Sequence, residues 1–340
     1  MKHQWAIFTI HFGISPQKEL FLRETDGTSV LDNAQAHFGS YFGGSQLTLY
    51  KTKESGEVTP YPNDILRKEG DIILLRVNNV QYKKLVKRCE NALGGVPRYA
   101  EVQAESNPFS YVVIDNRPGC CLMAIELSAT WGSRSEPVRN LLQECLGRSI
   151  LNDYGLEMLV NAKMHPTKFW EFVHHQVHNN GDRINGYIIE VLNKKRVAPR
   201  EEESGVKPRG LMKSVSDFVE HSNLLKASMT LQADGGMIPE KSKAQEDWAN
   251  IVQLCSSSYY NLTVKFERMG LYRSDQEVMA LFPLADEAIE HFIQGCKTIS
   301  EQEAAGEYAL VSWLDFVRKE IKDYNDAKQT PKKPERKRRQ

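Results

Sequence analysis

Residues 165–182, HPTKFWEFVHHQVHNNGD, hold four histidines, three of them with a glutamate in one short stretch at 171–178. Glu171, His174 and His178 stand at i, i+3 and i+7, the helical spacing at which one carboxylate and two imidazoles can converge on a metal ion. His175 follows His174 at the position where H-E-x-x-H needs its general-base glutamate, so zinc-protease chemistry is excluded on this helix. On a wheel of about 100° per residue, Phe169, Trp170, Phe172, Val173 and Val177 share one arc. Thr167, Lys168, Glu171, His174, His175 and His178 lie opposite. Packing of the apolar arc accounts for a helix over 166–178, so the polar face reads as solvated surface and no metal is expected.

A second acidic pair lies at Asp115 and Glu126, on the two strands of a hairpin expected from FSYVVID and CCLMAIEL around the turn Asn116-Arg117-Pro118-Gly119. Metal-dependent nucleases place Mg²⁺ ligands on adjacent strands in this way. Restriction-type nucleases, however, carry a Lys two residues after the glutamate, and this chain has Ser128 there. The hairpin reading therefore makes Asp115 a turn-initiating residue and Glu126 an exposed strand residue. Neither G-x-x-x-x-G-K-[ST] nor G-x-S-x-G occurs, and ALGGVP at 92–97 has too few glycines to cradle a phosphate. No cofactor is expected. The six cysteines (89, 120, 121, 145, 255 and 296) contain no C-x-x-C pair and read as reduced thiols. Cys89 and Cys296 are the candidates for a nucleophile, if there is one.

Basic residues offer a different chemistry. The stretch VQYKKLVKRCENALGG, 80–95, reads as an amphipathic helix with Tyr82, Leu85, Val86, Cys89, Ala92 and Leu93 on one arc. Lys83, Lys84, Lys87 and Arg88 form the other. Fixed cations on one face suit the backbone phosphates of a nucleic acid, with Lys194, Lys195 and Arg196 as further contacts. The last residues, KQTPKKPERKRRQ, hold seven cations, among them Arg336, Lys337, Arg338 and Arg339, against Glu335 alone. A tail of about +6 thus follows a body of about −6, within a formal net charge of zero. Two prolines and no apolar side chain make 328–340 a disordered basic tail in expectation.

The elements that must position these residues follow from hydrophobic period. Strands are predicted at 5–11, 47–52 and 71–77, giving a β-rich N-terminal unit that ends in the basic helix. The hairpin 109–127 comes next, then a helix with Ser135 as N-cap, Pro137 in its first turn and Gly147 as its stop. Strand 156–162, helix 166–178 and strand 184–192 complete the order β-β-α-β-α-β. Residues 194–210 lack apolar period and read as a linker between 1–193 and a mostly helical half at 211–327. Within that half, helices near 212–221, 244–255, 284–295 and 305–326 flank a strand at 259–267. The fold class is α+β, or mixed α/β.

At 340 residues the chain can bury a substantial core without disulfides, and 41% hydrophobic with 26% charged residues is an ordinary globular composition. No apolar run approaches the roughly 18 residues of a membrane helix and no signal peptide opens the chain, so a cytosolic protein is expected with no membrane partner. The layout SYVVIDNRPGCCLMAIEL, a capped helix, LEMLV and FWEFV resembles bacterial anti-phage defence and mobile-element accessory proteins of the KwaB-like, DNA-associating type, over about residues 109–192. That resemblance implies a bacterial accessory protein and carries over no catalytic residue. The expected function is a non-enzymatic protein that associates with nucleic acid, or a nucleoprotein complex, through its basic surfaces. A metal-dependent nuclease and a protein–protein adaptor are the alternatives.

Overall fold

A computed structural model describes residues 2–14, 29–79, 81–89, 98–163, 166–197, 206–237, 245–255, 259–273, 281–295 and 310–327. The α+β class is as expected: seven α-helices and four antiparallel sheets among these residues. In chain order they are β1 (Lys2–Gly13), α1 (Ala34–Ser40), β2 (Tyr50–Thr52), β3 (Val58–Pro60), β4 (Asn63–Glu69), β5 (Ile72–Asn78), β6 (Gln81–Cys89), β7 (Arg98–Ser106), β8 (Phe109–Asp115) and β9 (Leu122–Glu126). There follow α2 (Glu136–Tyr154), β10 (Glu157–Ala162), α3 (Pro166–His178), β11 (Ile184–Leu192), α4 (Gly210–His221) and β12 (Lys226–Met237). The chain continues through α5 (Gln245–Leu254), β13 (Tyr260–Phe266), β14 (Leu271–Arg273), β15 (Leu281–Ala285), α6 (Asp286–Gln294) and α7 (Leu310–Ala327).

The larger sheet runs β10-β1-β9-β8-β5-β4, with β15 also paired to β1. Strand alternation sorts its side chains onto two faces. Ala6, Phe8, Ile10 and Phe12 of β1, with Ile73, Leu75, Val77, Val112, Ile114, Met123 and Ile125, pack on one face under α1 and α2. Trp5 and Ile7, with Ile72, Leu74, Val113, Leu122 and Ala124, pack on the other under α6 and α7. Burial on both faces explains why β5 reads as the unbroken apolar run IILL rather than as an alternating strand. Helix α2 runs through Gly147 to Tyr154, with Gly155 at φ 69° as its left-handed cap. Gly147, expected to be the stop, instead packs against Met158, since a Cβ there would lie 3.6 Å from that side chain.

The smaller sheet runs β12-β11-β13-β14 and is covered by α3, α4 and α5. Strand β11 thus pairs with β12 and β13, on the far side of the expected linker, so the hydrogen bonding spans 194–210. What the structure describes of that segment is held in place. Lys194–Arg196 form a 3₁₀ turn, Val197 bridges to Gly13, and the Asn250 side chain binds Lys207 O and Arg209 N at 3.0 Å each. The two sheets meet where β1 ends. His11 lies 5.0 Å from the Tyr259 ring, and Asn261 donates to Asn161 at 3.3 Å. Gly13 has no room for a Cβ there, with Arg196 O only 3.1 Å from where one would be.

Among the described residues, no helix is long and apolar enough to cross a membrane.

Candidate nucleic-acid interface

Of the helix expected at 80–95, the described part, 81–89, is instead one strand of a β-ribbon. Residues 81–89 are strand β6 and pair antiparallel with β7 along nine register positions, from Gln81↔Ser106 to Cys89↔Arg98. The local sequence fits both periods, because Tyr82, Leu85, Val86 and Cys89 make a helical arc while Leu85, Lys87 and Cys89 alternate. The partner strand decides between them: RYAEVQAES pairs with 81–89 along its whole length. This ribbon is a two-stranded sheet separate from the other three. At about 3.4 Å per residue it extends roughly 27 Å.

Its root is well fixed. The Asn79 N–H donates to Pro108 O at 2.8 Å, the Asn79 side chain donates to Thr130 O at 3.1 Å, and Asn78 pairs with Phe109 as β5 meets β8. Phe109 stacks edge-on against Tyr111 with ring centroids 5.0 Å apart, and the Arg76 guanidinium lies 5.4 Å from the Phe109 ring. The ribbon therefore leaves one end of the larger sheet at a point anchored by buried strands on either side.

The expected cations separate into groups. A strand turns successive residues to opposite faces, so Lys83 and Lys87 share one face of the ribbon while Lys84 and Arg88 share the other. No single four-cation stripe forms. Lys194, Lys195 and Arg196 each make a contact within the fold, the two lysines from exposed positions. The Lys194 ammonium lies 5.0 Å from the Tyr259 ring, Lys195 pairs with Glu220 at 2.8 Å, and Arg196, only 8% exposed, donates to Asn223. Arg336, Lys337, Arg338 and Arg339, with the rest of the expected tail at 328–340, lie outside the described residues.

The candidate metal ligands are not brought together. Asp115 pairs with Leu122 and Glu126 lies opposite Trp5 and beside Tyr111, which puts the two acids about four residues apart along the sheet, roughly 13 Å. Glu126 is buried, contrary to its reading as an exposed strand residue, while Asp115 opens the turn as expected, accepting the Arg117 N–H at 3.2 Å. Asp115, completely buried, accepts Arg117 Nε at 2.8 Å and Nη2 at 2.7 Å, and Arg117 also pairs with Asp315 of α7 at 2.8 Å. Glu126, 5% exposed, accepts Tyr111 N–H at 2.9 Å and pairs with His3, whose other nitrogen meets Asp286 of α6 at 2.8 Å. Each acid thus holds a basic side chain that in turn meets an aspartate of a C-terminal helix. The hydrogen bonds that Arg117 donates to Asp115 push the Arg117 pKa up against the opposing effect of burial.

On α3 the apolar arc packs as expected, with Phe169 and Val173 buried and Trp170, Phe172 and Val177 partly so. Glu171, His174, His175 and His178 are exposed, and the His174 and His178 rings lie 4.1 Å apart. Among the described residues, no group of three or more His, Cys, Asp or Glu is placed to hold a metal. Cys120, Cys121, Cys145 and Cys255 are buried free thiols, and burial pushes the Cys145 and Cys255 pKa values up, away from nucleophilic reactivity. The Cys89 side chain and Cys296 lie outside the described part of the structure.

Several residues that organise these regions carried no sequence signal. Gln35 of α1 closes the Asn116–Cys121 turn, donating to Arg117 O at 3.0 Å and the Cys121 sulfur at 2.8 Å, while Asn116 returns a bond to Gln35 O at 2.9 Å. Arg98 joins the ribbon only through its register with Cys89. Asp182 accepts the backbone N–H groups of Arg183 and Arg268 at 2.8 and 3.0 Å and of Met269 at 3.1 Å, tying β11 to the β13–β14 turn. Burial opposes its charge, but these donors outweigh burial and hold its pKa below the usual carboxylate range.

Comparison with protein-family models, curated proteins and solved structures finds no match to this chain.

Proposed function

We propose that this protein is a non-enzymatic accessory factor that associates with nucleic acid through the β6–β7 ribbon. One observation carries the reading: a two-stranded antiparallel ribbon, separate from the other sheets and rooted at a fixed end, bears Lys83, Lys84, Lys87, Arg88 and Arg98. Such a ribbon is one of the elements proteins insert into nucleic-acid grooves, and lysine or arginine along it releases counterions from phosphates. The engagement of Asp115 and Glu126 with Arg117 and His3 takes the main carboxylates away from the hydrolase alternative. A role in bacterial defence or mobile-element biology, the setting implied by the family resemblance, belongs to the same proposal.

The test is an anisotropy titration of the purified full chain against labelled DNA and RNA, single- and double-stranded, across a salt series with Mg²⁺ present. The proposal expects log K to fall linearly with log salt and the nucleic acid to stay intact. Absence of binding at about 50 mM salt, where phosphate contacts are strong, would end it.

A further inference from the structure

We infer that only one face of the ribbon, the face of Lys83, Lys87 and Arg98, contacts nucleic acid, and that it does so in the major groove of duplex DNA. This rests on the reading of the ribbon as the nucleic-acid interface. Residues directly opposite in an antiparallel pair share a face, so the register divides the ribbon in two. One face holds Gln81, Lys83, Leu85, Lys87 and Cys89 with their partners Ser106, Ala104, Val102, Ala100 and Arg98. It carries three cations and no acid.

The other face holds Tyr82, Lys84, Val86 and Arg88 with Glu105, Gln103, Glu101 and Tyr99. Its two cations are matched by two glutamates. Glu101 pairs with Val86, one face position from both Lys84 and Arg88, within the roughly 7–8 Å over which diagonal cross-strand neighbours interact. Beside a polyanion this face gains nothing net, whereas the acid-free face is attracted along its whole length. On that face Lys83 and Lys87 are about 14 Å apart, and Arg98 lies about 7 Å beyond Lys87. Alanines stand opposite both lysines in the register, at Lys83↔Ala104 and Lys87↔Ala100.

The choice of duplex follows from shape. The major groove of B-DNA, about 12 Å wide, admits a two-stranded ribbon and presents guanine O6 and N7 as acceptors to Lys and Arg. The major groove of A-form RNA is too deep and narrow for side chains to read.

The experiment pairs two variants of equal charge change on the same strand, Lys83→Gln with Lys87→Gln, and Lys84→Gln with Arg88→Gln. Each is measured on a 20-bp DNA duplex and the RNA duplex of the same sequence across a salt series. Arg98→Gln is a third variant on the opposite strand, and circular dichroism melts check folding. The first pair should flatten the slope of log K against log salt on DNA by about 1.8 and Arg98→Gln by about 0.9, from about 0.9 per lost phosphate contact. The second pair should change it by less than about 0.5, and wild type should favour the DNA duplex. Equal flattening by both pairs would overturn the single-face assignment while leaving the ribbon as the interface. Equal affinity for the RNA duplex would overturn the groove assignment. Failure of wild type to bind any nucleic acid would remove the underlying reading itself.

Discussion

Replacing Arg117 with methionine removes the cation that neutralises Asp115 and leaves the side-chain volume nearly unchanged. Asp115 has no access to water, and its carboxylate relies on two guanidinium bonds of 2.8 and 2.7 Å, helped by the Arg117 backbone N–H at 3.2 Å. Breaking one side of a buried ion pair costs about 3–5 kcal/mol, because the remaining charge stays desolvated. The Arg117 side chain is 26% exposed, so water supplies part of its stabilisation and the lower end, about 3 kcal/mol, is expected. Asp315, at 52% exposed, is a surface partner, and Asp315→Asn should cost less than about 1 kcal/mol. Urea unfolding of the two variants and of Asp115→Asn/Arg117→Met checks the argument, since neutralising the orphaned acid should restore part of the loss. A cost below about 1 kcal/mol for Arg117→Met would refute the claim that the buried Asp115 carboxylate depends on this guanidinium.

Asp182 predicts a pH signature. Its folded pKa is lowered, so its contribution is present above the unfolded carboxylate value of roughly 4 and is lost as pH falls through the folded value. Asp182→Asn should therefore cost about 1 kcal/mol near neutrality, and the difference from wild type should close in acid when unfolding is followed from pH 7 to pH 2.5. The exposed histidines of α3 should do little for the fold: His174→Ala and His178→Ala should each shift stability by under about 0.5 kcal/mol, and elemental analysis of untagged protein should find no stoichiometric transition metal. A tightly held zinc lost in either variant would reverse that reading.

Where the sequence was legible, local period and burial agreed. The β8–β9 hairpin, the start of helix α2 and the apolar arc of α3 stand where their patterns place them, because each pattern reports a face that is in fact buried. Strand β12 escaped notice because it is a sheet edge. Ala227, Met229 and Leu231 are only half-buried and alternate with exposed Lys226, Ser228, Thr230 and Gln232, so the apolar signal is weak. The ribbon was misread as a helix because YKKLVKRC satisfies both periods, and the strand that settles the matter begins nine residues after β6 ends. Glu126 looked like solvent-facing acid, and the ion pair at Asp115 went unseen, for a related reason. The partners Arg117 and His3 are in turn held by Asp315 and Asp286, which come from helices at the far end of the chain, and no local pattern announces such a contact.

The central claim is that the ribbon is the nucleic-acid interface, and the structure offers a clean way to remove it. Asn79 and Pro108 are already bonded across the root at 2.8 Å, with Asn78 opposite Phe109, so replacing 80–107 by an Asn-Gly turn should join β5 to β8 as a simple hairpin. Binding of this variant and of wild type to a labelled DNA duplex at physiological salt is the decisive measurement. The account predicts a folded protein, melting within a few degrees of wild type, whose DNA affinity has fallen by at least about a hundredfold, as loss of several phosphate contacts requires. A folded variant that binds DNA as tightly as wild type would contradict it.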